Sequence, residues 1–237
     1  MTSPRPHALI TGASRGIGRA IALELARTHD LTCTARNKDA LASVARDAEA
    51  AGARVRTIAV DLAHADAVTE ALADVACDVL VNNAGVATLK PFLQLSPDEW
   101  SAMLDVNVNA LFHVTRAVLP GMTSRGRGHV ITIGSTAGRN TFAGGSCYVG
   151  TKHFVMGFSE CLMLEVRDQG VKVSVVMPGS VETELVPSGT DTSWMIQPSD
   201  VALAVRHLVD TPPHVLQYIV EVRPLTPKRR RDGSARG

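Results

Sequence analysis

The chain has 237 residues, 45% of them hydrophobic, and a net charge of +1. That length and composition suit one α/β domain with a core large enough to hold without disulfides, and the near-neutral charge argues against a nucleic-acid-binding protein. No basic segment leads into an apolar signal core and no apolar stretch could span a bilayer, so neither a signal peptide nor a membrane anchor is expected. Cys33, Cys77, Cys147 and Cys161 show no paired or metal-ligand spacing. They predict a reducing, cytoplasmic setting and no metal, with Cys33 and Cys161 as buried thiols inside apolar patterns.

Strand and helix signals alternate along the chain, which predicts a parallel sheet covered on both faces. The short apolar run Ala8-Leu9-Ile10 reads as a strand and residues 19–26 as a helix. Between them lies Thr11-Gly12-Ala13-Ser14-Arg15-Gly16-Ile17-Gly18. A glycine-rich turn between strand and helix is a phosphate cradle, because the free N–H groups and the helix dipole favour an anion. Residues 31–35 read as strand two, and Asn37 caps a helix that Gly52 ends. Residues 54–60 read as strand three, followed by Asp61-Leu62, and 64–75 as an amphipathic helix. Strand four, 79–81, runs into Asn82-Asn83-Ala84-Gly85.

Ser96-Pro97-Asp98-Glu99 reads as a capping box opening one long helix to about residue 122. Residues 130–133 read as strand five ending at Ser135, about 147–168 as a second long helix, and 171–176 as strand six closed by Pro178-Gly179. Residues 180–197 are expected to be irregular. Ser199 is expected to cap a helix to about 208, and 218–222 to form the last strand. The domain is expected to cover 1–225. Residues 226–237, with Lys228-Arg229-Arg230-Arg231, read as a basic, flexible tail.

Tyr148 and Lys152 lie four apart on one predicted helix, hence a turn apart on one face. A neighbouring ammonium favours the phenolate and is expected to lower the phenol's pKa, making Tyr148 a candidate acid/base. Ser135 falls at the strand edge where open parallel sheets bind ligands. By residue type alone, Asn107 reads equally as a polar residue at a helix bend and Asp61 as a turn residue.

In order, the Thr11-Gly12-x3-Gly16-Ile17-Gly18 turn, Asp61-Leu62, Asn82-Asn83-Ala84-Gly85, Asn107, Ser135, Tyr148-x3-Lys152 and Pro178-Gly179 with Thr183 resemble the short-chain dehydrogenase/reductase family. The resemblance implies a single-domain, Rossmann-like, doubly wound sheet of about seven strands. It also implies roles. Tyr148 would donate the proton, Lys152 would hold the nicotinamide ribose, Ser135 would orient the carbonyl, and Asn107 would support a water-linked proton path. Asp61 and Leu62 would meet the adenine, Asn83, Ala84 and Gly85 would line the cofactor cleft, and Pro178, Gly179 and Thr183 would close over the nicotinamide. Gly134 and Gly150 depart from residues frequent in the family.

Strand two ends Ala35-Arg36, where an NAD site usually carries an acid for the ribose 2′-hydroxyl. Guanidinium groups at Arg36 and Arg15 would pair with a 2′-phosphate, which predicts NADP(H). Leu89, Phe92, Phe142, Leu185, Val186, Trp194 and Met195 fall in the segments flanking Tyr148 and predict an apolar pocket for a neutral carbonyl or alcohol, although Trp194 and Met195 would serve equally as lid packing. Apolar residues on several faces of the two long helices predict a homodimer or homotetramer. The expected activity is NADPH-dependent carbonyl reduction. A 3-oxoacyl thioester reductase and a non-catalytic NADP(H) sensor are the alternatives.

Overall fold

A computed structural model describes residues 5–226 of the chain; the basic run Lys228–Arg231 lies outside them. Seven strands form one parallel sheet: β1 (His7–Thr11), β2 (Asp30–Ala35), β3 (Val55–Ala59), β4 (Val79–Asn82), β5 (Gly128–Ile133), β6 (Val171–Pro178) and β7 (Ile219–Val222). Their spatial order is β3-β2-β1-β4-β5-β6-β7. The chain therefore winds outward one way from β1 and then reverses at β4. The junction of β1 and β4 is the switch point at which a crevice opens beyond the strands' carboxyl ends.

The helices are α1 (Gly16–Leu25), α2 (Lys38–Ala50), α3 (Ala65–Leu72), α4 (Pro97–Leu104), α5 (Ala110–Ser124), α6 (Ser146–Val166) and α7 (Pro198–Val209). The period-two alternation of the strands sorts side chains between two cores. Ala8, Ile10, Val79, Val81, Ile131 and Ile133 point to one face and pack with Ile21, Leu25, Leu41 and Val205 of α1, α2 and α7. Leu9, Leu80, Val130 and Val173 point to the other and pack with Leu72, Val114, Val118 and Leu162 of α3, α5 and α6.

Local signals set several boundaries. Asn37 Oδ1 accepts the Ala40 N–H at 2.9 Å and opens α2, and Gly52, at φ +96°, takes the turn after it. Ser96 and Glu99 form the expected reciprocal capping box at 3.2 and 3.0 Å.

Three expectations need correction. The single long helix after Ser96 is two helices joined by a π-helical stretch, Asp105–Asn109. The extra residue in that turn swings Asn107 inward until it is buried. The last helix is capped two residues earlier than Ser199: Gln197 is its N-cap, Pro198 takes the first helical position, and Asp200 Oδ2 accepts the Gln197 N–H at 2.7 Å. Cys161 is exposed, whereas Cys33, Cys77 and Cys147 are buried. Apolar residues fall all around α6, so an apolar neighbourhood in sequence did not place Cys161 on the side facing the sheet.

Candidate active site

Thr11, at the end of β1, ties the two strands of the switch point together. Its hydroxyl accepts the backbone N–H groups of Asn83 and Ala84, both at 3.0 Å. Asn83 answers with its side chain, whose Nδ2 donates to the Thr11 and Gly12 carbonyls at 2.9 and 3.2 Å. The Asn83 amide is thus engaged in holding the glycine turn. Two glycines in that turn are dictated by space. A Cβ on Gly12, at φ +64°, would fall 2.9 Å from Ala84 Cα, and one on Gly18 would fall 2.2 Å from the Gly12 carbonyl oxygen.

The start of α1 is bare. Arg15 is its N-cap without a side-chain cap bond, and its first turn has no acid. Unpaired N–H groups at a helix start, a backbone free of Cβ atoms, and the exposed Arg15 and Arg36 fit a phosphorylated dinucleotide. Ser14 and Gly16 are partly exposed in the same turn, while Ile17 packs on the core behind it. Leu62 is buried in the second core, and Asp61 Oδ1 accepts the Ala63 N–H at 3.1 Å in a local turn. Gly85 is exposed at the crevice; a Cβ there would meet Asn107 Oδ1 at 3.4 Å and Lys152 Nζ at 4.0 Å.

The candidate chemical groups come from β5, α6 and the π turn. Ser135 lies just beyond β5. It starts a turn of 3₁₀ helix, with its Oγ accepting the Ala137 N–H at 3.1 Å. Its hydroxyl faces the Tyr148 phenol and acts to lower the phenol's pKa. Lys152 follows one turn along α6, buried, with Nζ donating to the Ile133 carbonyl at 3.1 Å and lying 5.8 Å from the Tyr148 ring centroid.

The electrostatics differ from the simple expectation. Burial raises the Tyr148 pKa above its ordinary value, and the Ser135 hydroxyl pulls it back down. Lys152 is itself pushed down to about 8 by burial.

Asn107 is held by three bonds. Its Oδ1 accepts the Val86 N–H at 2.8 Å, and its Nδ2 donates to the Val86 carbonyl at 2.9 Å and Thr151 Oγ1 at 3.1 Å. Thr151 in turn donates to the Tyr148 carbonyl at 2.8 Å. Thr11 and Thr151 were not among the predicted site residues. Thr151 lies inside Tyr148-x3-Lys152 but carries no signal of its own there. Beneath these groups is a cavity of about 20 Å³ lined in part by Asn82, Asn107, Thr132 and Lys152. It has room for one water, and the buried Thr132 Oγ1 has no hydrogen-bond partner among the described residues.

At the far side, β6 ends at Pro178, and the Gly179 N–H donates to Val222 O at 2.8 Å. A bridge between Val181 and Ile196 closes the following segment into a loop. That loop returns Thr183 to the glycine turn, its Cγ2 3.6 Å from the point a Gly16 Cβ would occupy. The structure therefore sets Gly12, Gly18, Asn83 and Ala84 against one another, Thr183 against Gly16, and Gly85 against Asn107 and Lys152, while Ile17 and Leu62 face the cores and Asp61 bonds in a local turn.

Of the two glycine departures, one has a physical reason: a Cβ on Gly134 would strike Val175 Cγ1 at 2.9 Å, whereas Gly150 faces open space and nothing in the structure requires a glycine there.

The chain belongs to the short-chain dehydrogenase family, whose family model matches residues 6–193. It is an oxidoreductase. It is 35% identical to the NADP-dependent 3-hydroxy acid dehydrogenase YdfG of Salmonella typhi, over 92% of this chain and 94% of that one. It is 34% identical to the glycine betaine reductase ATRR of Emericella nidulans, of which it covers 18%. Among solved structures it resembles a metagenomic short-chain oxidoreductase in complex with NADP, at 36% identity and TM-score 0.84 over 94% and 98% of the two chains. It also resembles the closed form of a serine dehydrogenase complexed with NADP+, at 32% identity and TM-score 0.87 over 98% and 100%.

Proposed function

We propose that this chain interconverts a carbonyl and an alcohol with NADP(H), on a neutral or partly apolar ketone, aldehyde or 3-oxo compound, with Tyr148 as the proton donor. The NADP(H) assignment rests on the relatives' cofactor and fits the bare start of α1 with Arg15 and Arg36 beside it. When bound, the nicotinamide supplies hydride to the carbonyl carbon or accepts it from the alcohol.

The observation that carries the reading is the placement of Ser135 and Tyr148 in front of a buried Lys152, whose Nζ bonds Ile133 on the strand that leads to Ser135. Ser135 and Tyr148 can both meet one substrate oxygen. Tyr148 Oη donates its proton there as the alcohol forms, and Ser135 Oγ holds the oxygen in place. The raised phenol pKa keeps Tyr148 protonated at neutral pH, the state that reduction needs. Lys152, anchored on Ile133, keeps positive charge behind the phenol as its proton leaves.

Leu89, Phe92, Phe142 and Leu185 are all exposed on the segments around this edge and support an apolar substrate. The partly exposed character of Phe112, Phe154 and Leu164 on the outer faces of α5 and α6 supports a homo-oligomer, and a cytoplasmic setting goes with the four unpaired thiols.

A second reading, a 3-hydroxy acid as substrate, follows the name carried by YdfG. A panel decides between them: neutral ketones and 3-oxo esters with NADPH, against 3-hydroxy acids with NADP+. A higher kcat/KM for the acids replaces the first reading with the second. Tyr148→Phe is expected to lower kcat by about 10²–10⁴ with little change in NADPH affinity; full retained turnover removes Tyr148 from the chemistry.

A further inference from the structure

Helix α1 starts with no acid of its own in the first turn and no side chain capping it. Its N-terminus is where a dinucleotide's diphosphate lies in this fold. The fold delivers a carboxylate to that place from far along the chain. Glu184 Oε2 stands 3.2 Å from the point a Cβ on Gly16 would occupy. The approach is built by the loop itself. The Val181–Ile196 bridge and the bond from the Glu182 N–H to Ile196 O at 2.9 Å anchor its base. Thr183 Oγ1 accepts the Leu185 N–H at 3.3 Å and turns the chain at Glu184. Glu184 is exposed and has no ion-pair partner among the described residues. Its neighbour Glu182 is occupied otherwise, accepting from Thr192 Oγ1 and Gln197 Nε2, both at 2.7 Å.

We infer that Glu184 is a charge gate on the diphosphate site. Its carboxylate stands beside the start of α1. There it opposes a bound diphosphate by like charge, which weakens cofactor binding and speeds release. Glu184 acts on affinity, through charge, and takes no part in proton or hydride transfer.

The test is calorimetric titration of the full chain with NADP+ and, separately, with 2′-AMP, which carries the 2′-phosphate without the diphosphate bridge. Glu184→Gln is expected to tighten NADP+ binding by about fivefold and Glu184→Lys by more. The 2′-AMP affinity of Glu184→Gln should stay within about twofold of wild type. The gain for NADP+ should shrink as salt is raised to roughly 0.5 M, since screening removes a charge effect. NADP+ binding that is unchanged or weaker in Glu184→Gln overturns the gate. Equal tightening toward 2′-AMP also overturns it, because the carboxylate would then be acting at the 2′-phosphate.

Discussion

Lys152 Nζ donates to the carbonyl oxygen of Ile133 at 3.1 Å, two residues before Ser135 in the chain. One bond thus ties the buried cation of α6 to the strand that leads to Ser135. Ser135 and Tyr148 are held in register by the same link, since Tyr148 is one helical turn from Lys152.

Burying that cation has a cost that pH should reveal. Lys152 titrates at about 8 folded, against 10.5 for a free lysine. Between those values the unfolded chain binds the proton and the folded chain does not, so stability rises with pH across that window. Below it the penalty of the buried ammonium is fully present. Lys152→Met is therefore expected to be more stable than wild type at pH 7, by roughly 1–3 kcal/mol, while losing turnover. Urea unfolding at pH 7 and pH 10 checks this: the gap should narrow at the higher pH, and a gap that stays constant rejects the linkage.

Asn107 and Thr151 should behave as a coupled pair. Asn107→Ala removes three hydrogen bonds and leaves Val86 and Thr151 groups unpaired in a buried place. A loss of about 2–4 kcal/mol is expected. Thr151→Val should cost about 1–2 kcal/mol, and the double variant should cost less than the sum. Chemical denaturation of the four proteins measures the coupling, and strict additivity would show that the bond carries no shared energy.

Cofactor choice should respond to Arg36. It is exposed at the end of β2 and has no ion-pair partner among the described residues. Arg36→Asp replaces a guanidinium suited to a 2′-phosphate by a repelling carboxylate. NADPH affinity is expected to fall by about 10–100-fold, with NADH affinity equal or improved. Fluorescence titration with both cofactors reads the ratio; an unchanged ratio removes Arg36 from recognition.

Two glycines should answer substitution in opposite ways. Gly18→Ala drives a Cβ to 2.2 Å from the backbone oxygen of Gly12, and a loss of about 2–4 kcal/mol and of cofactor binding is expected. Gly150→Ala meets no atom within 4 Å and sits inside α6. It should gain about 0.5–1 kcal/mol from helix propensity alone. Thermal unfolding of the two variants distinguishes steric from conformational need.

Much of the site was legible because its signals are local or follow strand ends. The glycine turn, Ser135 after β5 and the Tyr148-x3-Lys152 spacing each follow from short-range geometry and sheet topology. The N-cap at Asn37 and the capping box at Ser96 were read for the same reason. The π turn at Asp105–Asn109 was not, because an apolar pattern continues on both sides of Asn107 and the inserted residue is set by bonds to Val86 and Thr151. Cys161 was misplaced for a related reason, since α6 is apolar on several faces. The N-cap of α7 moved from Ser199 to Gln197 because Pro198 prefers the first helical position and Asp200 reaches back to fix it.

By itself the sequence determined the doubly wound α/β architecture, the phosphate-binding turn and the identity of the acid/base candidates, since alternation, turn chemistry and spacing are properties of neighbouring residues. Only the tertiary structure decided the environment of those groups. Burial is the largest influence on the Tyr148 and Lys152 pKa values. Asn83 is engaged in bracing the turn through contacts to Thr11 and Gly12. Glu184 reaches the start of α1 from the loop beyond β6. Desolvation and contacts between distant segments arise only when the chain is packed, because they depend on what surrounds a residue in space.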